Sequence, residues 1–398
     1  MKIAINGSFL NQPATGSGQY LRALLPALAQ CDPGNELIVI APESRAAVDP
    51  IAPRVTIRAE RIALNRLSRN LGKLWFEQIT FPRVCRHERA VIAHVPYFAA
   101  PFFPSMRTVV TIHDIIPLLL PRYRGSPLVR LYTRLVAASA RRANAVIADS
   151  ECSQRDIVKH LGIDPARVHV VYLAADARYR PIDDTTVVRR KYALPEKYLL
   201  YLGGYDQRKN VRVIIEAFAR VPELYAAGYR LVLAGARLGE DSEFFPNPQR
   251  IAREVGLDDD AIRFIGSIDE ADKPALYSGA CAFLFASVYE GFGLPPLEAM
   301  ACGAPVISSN ASSLPEVVGN AAILIDPYDT AAWADAIRAV LSDNARRAAM
   351  RERGIAQSKK FSWDRAADET LAVYRSVANF LVQPSCYSKV NKPQRRNP

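Results

Sequence analysis

The strongest constraint in this chain is a rhythm: short β-branched runs alternate with helix-period segments, and the pattern runs through twice. "KIAIN", "ELIVIA", "RAVIAH", "TVVTIH", "NAVIADS" and "VHVVYLA" read as buried strands in the first half. "YLLYLGG", "RLVLAG", "IRFIGS", "CAFLFA", "PVISS" and "AILID" do the same in the second. Helical patterns such as 127–143, 211–220 and 331–341 lie between most of them. Such alternation requires crossover connections, and so parallel sheets of the doubly wound α/β kind with helices on both faces. The two rounds are divided by "YRPIDDTTVVRRKYALPEKY", whose prolines and charges suit a linker. A chain of 398 residues also exceeds what one core usually supports. The expected organisation is a Rossmann-like domain over 1–180, a linker over 181–197 and a second Rossmann-like domain over 198–362. A final helical stretch, 363–382, can pack back on either domain. The basic tail 383–398 lacks periodicity and is expected to be disordered.

In open α/β sheets, ligands sit beyond the carboxyl ends of the strands. The unusual motifs fall there. "TGSGQY" follows the first strand, His113 and Asp114 close "TVVTIHD", "DQRKN" follows "YLLYLGG", and "EGFG" follows "CAFLFAS". With two domains, these loops face each other across a cleft.

"EGFGLPPLEAM" is the richest of them. Glu290 and Glu298 have seven residues between them, the first in the loop and the second inside the following helix. Gly291 and Gly293 let backbone N–H groups turn inward, and Pro295 and Pro296 suit a helix start. A helix mouth of this kind accepts an anion such as a diphosphate. Glu298 can accept hydrogen bonds from a diol such as ribose, and Glu290 from a sugar. Arg208 and Lys209, between a strand and a helix of the same domain, supply a cationic clamp, although a solvated pair there is unremarkable.

"TGSGQY" looks at first like a dinucleotide fingerprint, but the third glycine falls on Leu21 and the loop starts well past the first strand. A flexible loop touching phosphate or acceptor through Gly16 and Gly18 fits better than NAD binding. His113 ends a strand facing the cleft, while His94 at a similar strand end has the weaker claim. No histidine spacing suits a metal, and "LDDDAIRF" reads as a capped acidic turn, so no metal and no cofactor are expected.

Charge divides the chain. Residues 1–180 hold 24 Lys and Arg against 13 Asp and Glu, so the whole excess of +11 lies there and the rest is neutral. An anionic partner for the first half follows, unless this is only an arginine-rich solvated surface. Within 61–84, Leu64, Leu67, Leu71 and Leu74 share one helical face, with Arg66, Arg69 and Lys73 toward others. That pattern suits either an anionic membrane surface or a helix docked on its own domain. Nucleic acid is not expected, because it leaves Glu290 and Glu298 in the neutral half unexplained. No run approaches the roughly 18 apolar residues of a membrane span. "MKIAINGSFLNQ" is too short in apolar residues for a signal peptide. Six cysteines without a C-x-x-C pair suggest reduced thiols and a cytoplasmic location, with peripheral attachment to the inner membrane face as an option.

Taken together, "EGFGLPPLEAMACGAPVISS", "SLPEVVG", "QRKN", "TIHDIIP" and "ALYSGACAFLFAS" resemble the retaining glycosyltransferases of family 4, which have the GT-B fold. The resemblance spans nearly the whole chain. It implies that Glu298 binds the nucleotide ribose and that Glu290 stands beside the transferred sugar. By the same resemblance, Gly291, Phe292, Gly293 and Leu294 cradle sugar and phosphate, Arg208 and Lys209 hold the diphosphate, and Gly16, Gly18, His113 and Asp114 form the acceptor side. Two positions depart from the pattern: Ala286 stands where a proline is common, and Gly204 where some members carry a further arginine. The implied activity is transfer of a hexose, mannose being favoured, from GDP-mannose or a UDP-sugar. The acceptor would be a glycan or polyprenyl-linked glycan in surface polysaccharide synthesis. A sugar-nucleotide epimerase or hydrolase on the same fold, or a non-catalytic sugar- or nucleic-acid-binding protein, are the rivals.

Overall fold

The computed structural model describes residues 1–12, 15–43, 52–104, 106–235 and 241–379. The first sheet holds β1 (Lys2–Asn6), β2 (Glu36–Pro42), β3 (Val55–Glu60), β4 (Ile92–Val95), β5 (Arg107–Ile112), β6 (Ala145–Ala148) and β7 (Val168–Val170). The second holds β8 (Lys197–Leu202), β9 (Tyr229–Ala234), β10 (Ile262–Gly266), β11 (Ala282–Phe285), β12 (Val306–Ser309) and β13 (Ile323–Ile325). Their orders are β3-β2-β1-β4-β5-β6-β7 and β10-β9-β8-β11-β12-β13, and the strands pair in parallel. In each sheet the winding reverses beside the first strand, between β1 and β4 and between β8 and β11. A crevice opens at such a switch point. The segment after β8 carries Arg208 and Lys209, and the segment after β11 carries Glu290. The topology therefore brings these two motifs to one crevice.

Twelve strands lie where the apolar runs predict them. β3 is the exception, because it is an edge strand of mixed exposure whose Arg58 bonds Glu60 at 2.7 Å. Polar edges of this kind protect a sheet from pairing with other chains, and they also erase its apolar signature.

The expected basic helix over 61–84 is corrected. It is a 3₁₀ turn (Ala63–Arg66), an α-helix (Arg69–Trp75), a π turn (Phe76–Thr80) and a second α-helix (Phe81–His87). Pro82 has no N–H to offer the carbonyl one turn back, and the chain widens into the π turn just before it. The exposed apolar stripe consequently runs through Leu67, Leu71, Trp75 and Ile79. Leu64 packs instead against the core of the first sheet.

The C-terminal helix Trp363–Asn379 returns to the first sheet. Tyr374 Oη lies 2.7 Å from His94 Nδ1, Arg107 donates to the Val377 carbonyl at 2.8 Å, and Arg375 pairs with Asp32 at 2.8 Å. Burial pulls the His94 imidazole down to about 3, with His113 nearby as the lesser cause. A neutral ring bridging Tyr374 and Thr111 is a packing element, in keeping with its weaker claim to function. The expected tail, 383–398, lies outside the described residues, as do 380–382.

Candidate active site

Glu290 sits at the centre. Lys209 Nζ and Arg208 Nη1 reach the same oxygen, Oε1, at 2.6 and 2.8 Å, and all three side chains are largely buried. Burial alone raises a carboxyl pKa, but here the two cations outweigh it and hold Glu290 below its usual range. The loop is fixed from behind. The Glu290 amide donates to Ser312 Oγ at 2.8 Å, and Ser313 Oγ donates to the Glu290 and Phe292 carbonyls at 2.9 and 2.6 Å. Arg208 also donates to the Tyr289 carbonyl at 2.7 Å, while its buried Nε has no hydrogen-bond partner.

Gly293 caps the helix Leu294–Ala301 with φ +117°, a conformation that favours glycine. Pro295 and Pro296 contribute no N–H, so the donors at this mouth narrow to the amides of Gly293 and Leu294. Neither amide donates to a described residue. The Phe292 side chain turns away from the mouth and packs on Phe361 and Tyr172, so only its backbone faces the crevice.

Glu298, four residues deeper, lines a cavity of about 440 Å³ with Leu294, Glu270, Arg178, Tyr20 and Arg22. Burial pushes its carboxyl up to about 7, against the attraction of Lys273 and a 3.1 Å hydrogen bond from Tyr277. The cavity thus joins Glu298 of the second domain to the Gly16–Cys31 helix of the first.

That helix corrects the expectation of a loop at "TGSGQY". Gly16 and Gly18 occupy its first turn, and Thr15 is the cap whose Oγ1 accepts the Gly18 N–H at 3.2 Å. A Cβ on Gly18 would fall 2.1 Å from the Gln12 carbonyl oxygen, so close packing within the first domain explains that glycine. Among the described residues, nothing beyond its chain neighbours and its own helix backbone lies within 4 Å of the Cβ position on Gly16.

His113 and Asp114 meet the Glu290 loop directly. A Cβ on Gly291 would stand 2.0 Å from the His113 carbonyl oxygen and 3.2 Å from the Asp114 side chain. His113 Nδ1 lies 2.7 Å from Asp149 Oδ2, and its buried Nε2 has no well-aligned hydrogen bond among the described residues. Burial works against a charged imidazole, yet Asp149 and Asp114, helped by the nearby Pro96 backbone, overcome it and raise the His113 pKa. Burial likewise raises Asp114, whose Oδ1 accepts the Ile116 N–H at 3.0 Å.

The domains are closed on each other through side chains outside the candidate site residues. Ser150 Oγ and Ser153 Oγ donate to the Gly291 carbonyl at 2.6 and 2.9 Å. Glu316 of the second domain accepts the Glu151 and Cys152 amides at 2.9 and 3.0 Å, capping a helix of the first. Tyr289 donates to Asp156 at 2.6 Å, and Tyr123 bonds both Asp206 and the Arg208 amide. In sequence, the serine–glutamate start of "SECSQRD" reads as a helix cap and Glu316 lies within "SLPEVVG", but neither motif records the contact between them.

Comparison with known proteins agrees with this architecture. The family described as glycosyl transferases group 1 matches residues 184–357, and glycosyltransferase family 4 matches residues 14–179. The chain is 32% identical over 388 residues to O-antigen chain mannosyltransferase B of Escherichia coli, covering 94% of this chain and all of that one. It is 34% identical over 266 residues to the serotype-specific mannosyltransferase WbdA of Escherichia coli, covering 66% of this chain but 32% of that longer protein. Among solved structures, sucrose-phosphate synthase from Thermosynechococcus elongatus superposes with a TM-score of 0.74 at 21% identity, covering 95% of this chain and 99% of that one. Anabaena Alr3699/HepE, solved with UDP and glucose, gives 0.69 at 20% identity, covering 96% and 100%. Two family profiles on the two sheets, and a relative matched from end to end, place the chain in glycosyltransferase family 4, as a hexosyltransferase with the GT-B fold.

Proposed function

We propose that the chain moves mannose, with retention of anomeric configuration, from GDP-mannose to a glycan acceptor in surface polysaccharide synthesis. The observation that carries the reading is the Glu290–Lys209–Arg208 cluster at the helix mouth, facing His113 and Asp114 across a closed cleft. The mannose assignment draws on the names of the Escherichia coli relatives. In this reading the donor diphosphate takes Lys209 and Arg208 from Glu290, and the freed carboxylate accepts hydrogen bonds from the sugar. The ribose hydroxyls meet Glu298 in its cavity, and His113 Nε2 meets a sugar hydroxyl. The two cations and the helix mouth stabilise the charge that develops on the departing diphosphate, with no metal required. As the resemblance to retaining family 4 transferases implies, the acceptor hydroxyl attacks from the face that the diphosphate leaves, positioned by closure of the two domains.

The first domain also docks on an anionic membrane face. Leu67, Leu71, Trp75 and Ile79 form an exposed apolar stripe at helical spacing in the half that carries the positive charge. Calorimetry with GDP, UDP and ADP in the presence of EDTA tests the donor. GDP is expected to bind tightest, and binding of none of the three would sink the reading. Transfer from GDP-mannose to a mannoside, followed by NMR of the product anomer, then tests sugar and stereochemistry. Donor consumption that needs no acceptor would identify a hydrolase or epimerase instead.

A further inference from the structure

Beside the cleft, the first domain holds a concavity of about 260 Å³ lined by Arg124, Arg130, Arg134 and Thr133, with Pro117 and Leu118 as its apolar wall. The three arginines are exposed, and none is ion-paired with a carboxylate among the described residues. Arg130 gives one hydrogen bond to the Gly125 carbonyl at 3.2 Å. Their neighbour Arg122, by contrast, is engaged by Gln207 and Glu243 of the other domain. Arg130 and Arg134 are also one turn apart on the helix Pro127–Ala140, and like charges at that spacing weaken a helix. An uncompensated basic cluster around a hollow is what a multiply charged anion needs.

Its surroundings say which anion. Pro117 and Leu118 belong to the turn Ile116–Leu119 that Asp114 caps, and Tyr123, beside Arg124, bonds the amide of Arg208. The hollow's wall is thus built on the segment that follows His113 and Asp114, a few residues along the chain from the candidate site. Leu128 and Leu131 are 78% and 64% exposed on the helix that carries Arg130 and Arg134. We propose that Arg124, Arg130 and Arg134 form the subsite for the diphosphate of a lipid-linked acceptor, with its sugar in the cleft and its lipid chain over Leu128 and Leu131. A diphosphate diester carries two negative charges, which three guanidinium groups match without leaving a buried anion unpaired. The inference rests on the transferase reading above and names how its acceptor is held.

Farnesyl diphosphate, kept below its aggregation concentration, is the probe. It is titrated into wild-type protein and the R130A/R134A variant, each saturated with GDP, alongside inorganic diphosphate and phosphatidylglycerol vesicles. The expected result is binding to wild type and a loss of at least about tenfold in the variant, with GDP affinity unchanged. Inorganic diphosphate is expected to compete, more weakly for want of the lipid contact. Equal affinity of wild type and variant for farnesyl diphosphate would overturn the proposal. So would a loss confined to the vesicles, which would make the arginines a general headgroup contact. Failure of GDP to bind, with farnesyl diphosphate still held through these arginines, would sink the donor assignment and leave the subsite standing.

Discussion

In the proposed reading the cleft has a donor wall in the second domain and an acceptor wall in the first, and the two are built on opposite rules. On the donor wall, charges come in satisfied groups: Lys209 and Arg208 share Glu290, and residues 181–398 carry no net charge. The acceptor wall carries the full excess of +11. Among the described residues, nine of the eleven large exposed apolar side chains also belong to residues 1–180, the surface that the proposed docking uses. Preorganised charge serves a reaction, because a leaving group must be stabilised without delay for rearrangement. Unpaired charge and exposed apolar surface serve capture, because they gain most when a partner arrives.

The largest effect is expected where the donor wall loses its point charge. Lys209→Ala should lower kcat by about 10²–10³-fold, the scale for removing one preorganised stabiliser of developing charge. Donor KM should move far less, since Arg208 and Glu298 still hold the nucleotide. A change confined to KM in steady-state kinetics would reduce Lys209 to a binding group.

Next in size comes the seam between the walls. Gly291→Ala places a methyl group against the His113 carbonyl across the cleft, whereas Gly18→Ala does the same to Gln12 inside one domain. The first should cost about 10²-fold in kcat while the thermal midpoint stays near that of wild type. The second should lower the thermal midpoint by several degrees, with less effect on kcat relative to folded protein. If both variants behaved alike, the closed contact would be a packing contact only.

The sequence carries the fold almost in full, because buried parallel strands are apolar along their whole length and announce themselves. β3 escaped because an edge strand mixes charge into its run. The meeting of Glu290 with Arg208 and Lys209 was also legible, since these residues lie in two compact motifs beside glycines. The seam was not. Ser150, Ser153, Tyr123 and Glu316 have partners 80 or more positions away, and although Glu316 lies within "SLPEVVG", no local pattern records such a pairing. Gly18 shows the converse failure. A glycine in a suggestive loop was needed for helix packing, and only the position of the Gln12 carbonyl reveals it.

Glu298 offers a smaller, pH-dependent test of the donor wall. Its carboxyl is raised from 4.5 to about 7 by burial, so the folded protein keeps a proton that the unfolded chain releases between those values. The stability gained from that proton is complete below pH 4.5 and is lost as pH rises through 7, by about 3 kcal/mol. Glu298→Gln should flatten this slope in denaturant titrations at pH 5 and pH 7.5. The same substitution should weaken GDP binding by about 1.5–3 kcal/mol, as a carboxylate that accepts from ribose is lost. In wild type, GDP affinity should rise between pH 6 and 8, because only the ionised carboxyl is a pure acceptor. Identical slopes in both proteins would remove Glu298 as the titrating group.

The smallest effect on the protein itself is expected on the acceptor wall, and there the smallness is the point. Leu67 and Leu71 are 78% and 52% exposed, so L67S/L71S removes little that the fold uses. Folding stability should change by no more than about 0.5 kcal/mol, the usual range for surface substitutions. Binding to phosphatidylglycerol vesicles should nevertheless fall by about 1 kcal/mol for each leucine, since an inserted side chain gains about 0.8 kcal/mol per buried CH₂. Sedimentation with vesicles of phosphatidylglycerol and of phosphatidylcholine alone reads both contributions. Wild type should prefer the anionic vesicles, and added salt should erase that preference before it erases the leucine effect, because screening acts on charges and not on apolar contact. A variant that unfolds more easily than wild type, yet sediments equally with vesicles, would mean the stripe packs against protein. The acceptor wall would then be built by the same rule as the donor wall.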